Sequence, residues 1–376
     1  MHTFGVGIIG CGFMGRTHAY GHLNLPVFYD PPPCRTRLVG VATSCTETAE
    51  SARRALGFEV ATCDWRELIA RPDIQIIHVC TPNALHKDQV LAALAAGKHV
   101  YCDKPLCVSR EEADAIAAAL PGAQVTHQMV FHNRFFPATL RARRMVEEGF
   151  LGDVLSLRGV YLHSGSADPA APLKWKLDPA RSGGGVLFDL GSHVLDLAQH
   201  LVGPLQVVDC STRIAYPERP LPGGGMARVA AEDAAFLTVR AANGALGHIE
   251  ASKIATGAVD ELRLEVNGAR GALRFSLMEP GFLWVYDQTK PASERGWRAL
   301  ETLQGYPPPA AFPPAKAGIG WLRAHAACLH EFLSAVAEGR PAAPGLEVGV
   351  QLQHLMADAY DLAARGPRED RESQGG

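Results

Sequence analysis

Short apolar runs alternate with amphipathic stretches through the first third of the chain. Residues 6–9, 38–42, 74–80, 99–102 and 124–129 are runs of buried-strand type, with helical periodicity between them. This alternation predicts a parallel sheet with helices on both faces. Asp64 with Glu67, and Ser109 with Glu112, have the spacing of capping boxes, and Gly97 closes a helix that begins near Asn83. Residues 24–36, with Pro26, Pro31, Pro32 and Pro33, read as a rigid loop inserted after the first helix.

Beyond about residue 129 the pattern changes. A helix over 134–148 is followed by a strand over 154–163 and by an apolar helix after three consecutive glycines. Residues 206–287 carry mostly strand signal. Asn243-Gly244 and Asn267-Gly268 are hairpin-type turns, and Leu262, Leu264 and Val266 alternate as a half-buried strand should. A stiff proline-rich connector (307–314) leads to two helices, 321–338 and 346–365. The expected organisation is therefore an α/β domain over 1–129, a second domain on an antiparallel sheet over 130–365, and a loose polar tail over 366–376.

A chain of 376 residues has room for two such cores. Its 47% hydrophobic and 20% charged content fits a globular protein, and its net charge of −3 leaves no footprint for nucleic acid or an acidic membrane surface. No apolar run approaches the roughly 20 residues that span a bilayer. The N-terminus shows no basic segment before an apolar signal core, and nine scattered cysteines suit reduced thiols, so a cytoplasmic protein is expected.

Two segments carry chemistry on their own terms. GCGFMG (10–15) sets Gly10, Gly12 and Gly15 between a predicted strand and helix, with Phe13 and Met14 inside the loop. Such glycines permit a tight turn and let backbone amides approach a pyrophosphate at the helix N-terminus. The second strand ends in Thr43 and Ser44, hydroxyls able to bond ribose, with neither a carboxylate nor an adjacent arginine. That leaves NAD and NADP both open. The balance leans to NAD, with Arg53 and Arg54 as the cations able to overturn it. The second segment is GGGVLFDLGSHVLD (183–196). On a helix, Asp189, His193, Asp196 and His200 share one face, and Leu187, Leu190, Val194, Leu197 and Leu201 form the opposite stripe. A buried carboxylate and imidazole need partners, and a hydroxyl-bearing substrate would serve; a solvated polar face is the alternative. His18 and His22 stand i, i+4 without an evident third ligand and read as structural, so no metal site is expected. Cys102 reads as an inert buried thiol, and Trp175 as either a sugar-stacking ring or core.

Three further segments, CTPNALH (80–86), AAGKHVYCDKPL (95–106) and FHNRFFP (131–137), together with the two above, resemble the Gfo/Idh/MocA family of oxidoreductases. The resemblance implies a Rossmann NAD(P)-binding domain and an α+β domain whose open, mostly antiparallel sheet forms homo-oligomer interfaces, in a dimer or tetramer. Lys104 matches the family's motif lysine, and Asp189 and His193 match its acidic residue and histidine. Thr81, Pro82, Asn83 and His86 match the loop after the fourth strand. Asp103 departs from the usual glutamate, shortening its reach toward the cofactor. Arg134, Trp175 and Lys176 fall on the substrate side. The implied activity is oxidation of a secondary hydroxyl of a sugar, glycoside or cyclitol. His193 would act as base, with an unperturbed pKa of about 6.5, and Lys104 would hold the reacting oxygen. The reverse assignment, with Lys104 in the proton transfer and His193 orienting, stands beside it. A redox-neutral enzyme that retains its nicotinamide and a non-enzymatic sugar sensor are the alternative functions.

Overall fold

The computed structural model describes residues 2–318 and 320–365; the loose tail expected over 366–376 lies outside them. The chain divides into two compact units, Met1–Phe136 with Gln304–Gln351, and Pro137–Leu303 with Leu352–Gly376.

In the first unit, strands β1 (Thr3–Ile9), β2 (Arg35–Ala42), β3 (Val60–Thr62), β4 (Ile76–Val79), β5 (His99–Asp103) and β6 (His127–Val130) form one parallel sheet in the order β3-β2-β1-β4-β5-β6. Helices α1 (Phe13–Phe28), α2 (Thr46–Leu56), α3 (Trp65–Ala70), α4 (His86–Ala95) and α5 (Arg110–Ala119) make the crossovers. Val6, Ile8, Val41, Ile76 and Val100 have no exposed surface, which is why these strands read as unbroken apolar runs. The strand order reverses between β1 and β4, and a doubly wound sheet binds ligands at the carboxyl ends of the strands flanking that point.

Two expectations need correction here. The loop expected over 24–36 is shorter, because α1 continues to Phe28 with Pro26 inside its last turns. Proline removes one intrahelical hydrogen bond there, where the helix is about to end anyway. The division at residue 129 also gives way, since residues 304–351 return to the first unit. The helix Trp321–Glu338 lies along α1, where Gly21 has no side chain and a Cβ would stand 2.8 Å from Leu329. Leu329, Phe332 and Leu333 thereby join Val6, Ile8, Leu25 and Tyr101 in one core.

That core also contains a polar row. His78 sits in β4 with no exposed surface. Its Nδ1 lies 3.0 Å from Nδ1 of His18, and its Nε2 lies 2.9 Å from Nε2 of His22. His22 reaches on to Thr36 Oγ1 at 3.0 Å, and Cys80 Sγ lies 3.0 Å from His18 Nδ1. The pair at 18 and 22 thus finds partners on β4, at hydrogen-bond spacing rather than spread around an ion. Among the described residues no group of three or more His, Cys, Asp or Glu side chains is disposed to hold a metal.

The second unit carries α6 (Pro137–Glu147), β7 (Val154–Leu162), α7 (Pro179–Ser182), α8 (Ser192–Val202), β8 (Leu205–Arg213), β9 (Glu218–Pro220), β10 (Met226–Arg228), β11 (Ala234–Ala241), β12 (Leu246–Ser252), β13 (Glu261–Gly268), β14 (Gly271–Ser276), β15 (Phe282–Asp287) and β16 (Trp297–Glu301). Eight of these strands form a sheet in the order β16-β15-β14-β13-β7-β12-β11-β8, while β9 and β10 pair separately. Every neighbouring pair in the large sheet is antiparallel except β7 with β12. Helix α8 lies against β7 at Gly159, where a Cβ would come within 2.6 Å of Val194. The opposite face carries a cross-strand row of charges, Arg158, Glu265 and Arg274.

The turn at Asn243-Gly244 forms as expected, with Gly244 at φ 90°. The one at Asn267-Gly268 is displaced: Gly268 still pairs with Val154, Asn267 pairs with Ala272, and residues 268–271 carry the reversal. The single motif helix expected after Gly185 is also two pieces. Leu187–Gly191 is a π turn that leads into α8, so Asp189 leaves the α-helical register of His193, Asp196 and His200.

Candidate active site

Each glycine of the first loop has its own cause. Gly10 turns at φ 87°, and a Cβ there would lie 2.6 Å from the Cys80 carbonyl oxygen. At Gly15 a Cβ would stand 2.0 Å from the Gly10 oxygen, so this glycine lets α1 sit down on the turn. Gly12 is different, because nothing lies within 4 Å of its Cβ position. It is also the N-cap of α1, with no side chain bonded to the amides of the first turn. An uncapped 16-residue helix opening onto free space at the switch point fits a dinucleotide pyrophosphate. Phe13 turns its ring outward, 5.4 Å from Trp321, and Met14 follows it half-buried in the first turn of α1.

At the end of β2, Thr43 Oγ1 donates to the Cys45 carbonyl and lies 2.6 Å from Thr48 Oγ1, while Ser44 is exposed. After β4, Thr81 Oγ1 donates to Gln89 at 2.8 Å, Pro82 leads into a tight turn and Asn83 is buried. His86 lies between two carbonyl oxygens, Pro105 at 2.9 Å and Thr81 at 2.8 Å. Burial lowers its pKa despite those contacts, and the ring ties the β4 and β5 loops together.

Lys104 follows β5 directly and is half-buried. Its amide donates to Asp103 Oδ1 at 3.0 Å, so the shorter acid turns back on the chain. Arg134 lies 6.0 Å above the Phe131 ring, and neighbouring His132 stacks on His325 at 4.0 Å. Cys102 is fully buried and burial drives its thiol pKa far up, which removes it as a nucleophile.

The second unit assembles its own cluster. Asp189 Oδ1 meets Lys176 Nζ at 2.7 Å, and its Oδ2 meets Lys253 Nζ at 3.0 Å. Lys176 also lies 6.0 Å from the centre of the half-buried Trp175 ring. His193, buried on α8, meets the edge of Tyr161 at 5.7 Å between centroids. Tyr161 donates to Asp260 at 2.7 Å, and His163 lies 2.8 Å from the same oxygen. Burial raises the Asp260 carboxyl pKa, but the bonds from His163 and Tyr161 together outweigh it and leave the group below its ordinary value. Asp196 is fully buried, while His200 is half-buried near the end of α8.

Glu232 positions the π turn. Its carboxylate accepts from Gly185 N at 3.1 Å, Leu187 N at 2.9 Å and Tyr360 Oη at 2.8 Å. Gly184 and Gly185 admit these groups, since Cβ atoms there would lie 2.2 Å from Tyr360 Oη and from the Glu232 carbonyl oxygen. Lys253, Tyr161, Asp260 and Glu232 carry no local motif, and sequence reasoning missed all four. The one signal for Lys253 was a lysine ending an alternating strand.

Residues 4–132 match the oxidoreductase family with an NAD-binding Rossmann fold, and residues 139–274 match the GFO/IDH/MocA C-terminal domain. The chain is 35% identical to levoglucosan dehydrogenase of Pseudarthrobacter phenanthrenivorans, over 97% of each chain. It is 26% identical to inositol 2-dehydrogenase of Rhizobium meliloti, over 98% of each. A solved levoglucosan dehydrogenase in complex with NADH and levoglucosan superposes with a TM-score of 0.93 at 35% identity, over 97% of this chain and 98% of that one. Among the described residues no helix is long and apolar enough to cross a membrane. With both domains matched in order and a 35% identical relative covered almost end to end, the chain belongs to the GFO/IDH/MocA family of NAD-binding oxidoreductases.

Proposed function

We propose that this enzyme oxidises a secondary hydroxyl of a sugar, anhydrosugar or cyclitol. The observation that carries this reading is the presence of Lys104 directly after β5 and of His193 and an ion-paired Asp189 in the motif segment, in a chain similar end to end to a levoglucosan dehydrogenase. Bound NAD supplies the hydride acceptor. His193 takes the hydroxyl proton, and the Lys104 ammonium holds the reacting oxygen and steadies its developing negative charge. Asp189 orients the substrate. A homo-oligomer built on the open face of the eight-stranded sheet belongs to the same proposal.

The preference for NAD over NADP rests on the cleft beside Thr43. Glu50, Asp64 and Glu67 line it with Thr46 and Thr62, and among the described residues its lining holds no lysine or arginine to attract a 2′-phosphate. Arg53 is spent on Glu50 at 2.9 Å, and Arg66 on Asp64 at 3.2 Å.

A panel of levoglucosan, hexoses and inositols with each cofactor, followed by NADH or NADPH absorbance, tests the reading. Reduced cofactor should accumulate with NAD. Lys104→Ala and His193→Ala should each lower turnover by about 10²–10⁴-fold while NAD affinity holds. Oxidation should speed up as pH rises through the range where the base loses its proton. A His193→Ala enzyme with near-normal turnover and the same pH profile would return proton transfer to Lys104. Tight NAD binding without turnover of any sugar would favour a sensor.

A further inference from the structure

Strands β7 and β12 are the one parallel pair in an otherwise antiparallel sheet, so both end at the same edge. The chain continues from them into His163 and Lys253, which that edge holds firmly. His163 N donates to the Ser252 carbonyl at 2.7 Å, Lys253 N to the Asp233 carbonyl at 2.8 Å, and Ser166 N to the Lys253 carbonyl at 2.8 Å. Lys253 is therefore fixed at its backbone, and its side chain is only 10% exposed.

An ammonium has three N–H donors and no acceptor. Asp189 Oδ2 is the only polar partner of Lys253 Nζ among the described residues, so one donor is committed and two are not. Water can serve those donors until a substrate displaces it, and the substrate must then bring an oxygen in its place. Lys176 meets the other oxygen of the same carboxylate from a far more open position, its side chain 46% exposed. Two cations thus bracket one anion. This trio of Lys176, Asp189 and Lys253 carries a net positive charge and offers more donors than acceptors.

We propose that Lys253 is a substrate-binding residue that selects for an acceptor-only oxygen on the sugar, either a ring, bridging or glycosidic ether or a carboxylate. The inference rests on the dehydrogenase reading above and narrows its substrate class. A hydroxyl can also accept from this ammonium, but its own O–H then needs an acceptor, and both oxygens of the Asp189 carboxylate here already face lysines. An ether or carboxylate oxygen can only accept, which is what this ammonium has to offer. Lys253 then holds the substrate in place, while Lys104 and His193 act on the hydroxyl being oxidised.

Calorimetric titration of the enzyme–NADH complex tests this without requiring turnover. Methyl glucoside brings ether oxygens, glucuronate adds a carboxylate, and myo-inositol has hydroxyls alone. Lys253→Met should weaken the ether- or carboxylate-bearing ligand by about 10- to 100-fold, the scale of a hydrogen bond to a charged group. Inositol binding should stay the same, and Lys253→Arg should recover part of the loss. Loss confined to glucuronate identifies a carboxylate as the oxygen read, and loss that includes methyl glucoside identifies an ether. For any panel sugar that is oxidised, KM should rise with kcat nearly unchanged. Equal loss for inositol, unchanged affinity for all three ligands, or a wild-type enzyme that binds inositol alone would each overturn the proposal. Should the panel give no NADH while the binding selectivity holds, it is the dehydrogenase reading that fails.

Discussion

Acidification should cost the first unit several kcal/mol through its buried imidazoles. Burial holds His18 and His22 down to about 3, helped for His18 by the charge of its neighbour, whereas a histidine in the unfolded chain titrates near 6.5. Above pH 6.5 neither state carries the proton, and full stability is present. Below it the unfolded chain takes up protons that the folded rings refuse until about pH 3, so stability falls as pH falls across that window. At about pH 5 each ring contributes a loss of roughly 2 kcal/mol, and the pair about 4 kcal/mol. Any folded value below about 4 gives nearly the same result there. His78, pushed well below its ordinary value by burial and by both neighbours, acts in the same direction. Glu232 opposes it from the second unit: burial raises its carboxyl pKa, so its share of stability is lost as pH rises past about 4.5. Set against a typical stability of about 5–15 kcal/mol, the imidazole contribution is large. Urea unfolding followed by tryptophan fluorescence at two pH values, near 7.5 and 5, measures it. His22→Gln should remove about half of the difference attributed to the pair. Equal midpoints and slopes at both pH values, or an unaltered difference in His22→Gln, would refute the reasoning.

Two further outcomes follow from the geometry. Gly12→Val should fold with a nearly unchanged melting temperature yet lose NAD affinity, whereas Gly15→Ala should already fail in the melt, since its Cβ would meet the Gly10 oxygen at 2.0 Å; NAD titration and thermal unfolding of both separate the two effects, and normal NAD affinity in Gly12→Val would place the dinucleotide elsewhere. Light scattering at working concentrations should give a mass twice or four times that of the chain, and monomer alone would remove the oligomer from the proposal.

What the sequence disclosed was local. The glycine loop was legible because strand, turn and helix adjoin, and Lys104 because its motif is contiguous. Residues brought together across long separations were not. His78 stood visibly inside an apolar run, but its partners lie 60 and 56 residues away, so the pair at 18 and 22 seemed to lack company. Glu232 reaches the π turn from 45 residues downstream, and nothing in GGGVLFD announces the altered register. The prolines misled for a related reason, since residues 24–36 read as one rigid loop although a helix near its end tolerates Pro26. The domain boundary was misplaced because the apolar stripe of the helix Trp321–Glu338 does not reveal which core it completes.

The return of residues 304–351 also governs the order in which the chain can mature during synthesis. When translation has passed residue 303, the first sheet has all six strands, yet Leu25, Tyr101 and Val130 still lack the cover that Leu329, Phe332 and Leu333 provide. The segment Pro137–Leu303 is by then synthesised and lacks only its C-terminal helical piece with Tyr360, while the unit begun first still waits for the ribosome to deliver a whole wall. An N-terminal fragment cut at the apparent boundary would carry every glycine of the GCGFMG loop and still expose an apolar flank. Expression of that fragment should therefore depend on chaperones in a way the whole chain does not, and adding the segment 304–351 in trans should relieve that dependence.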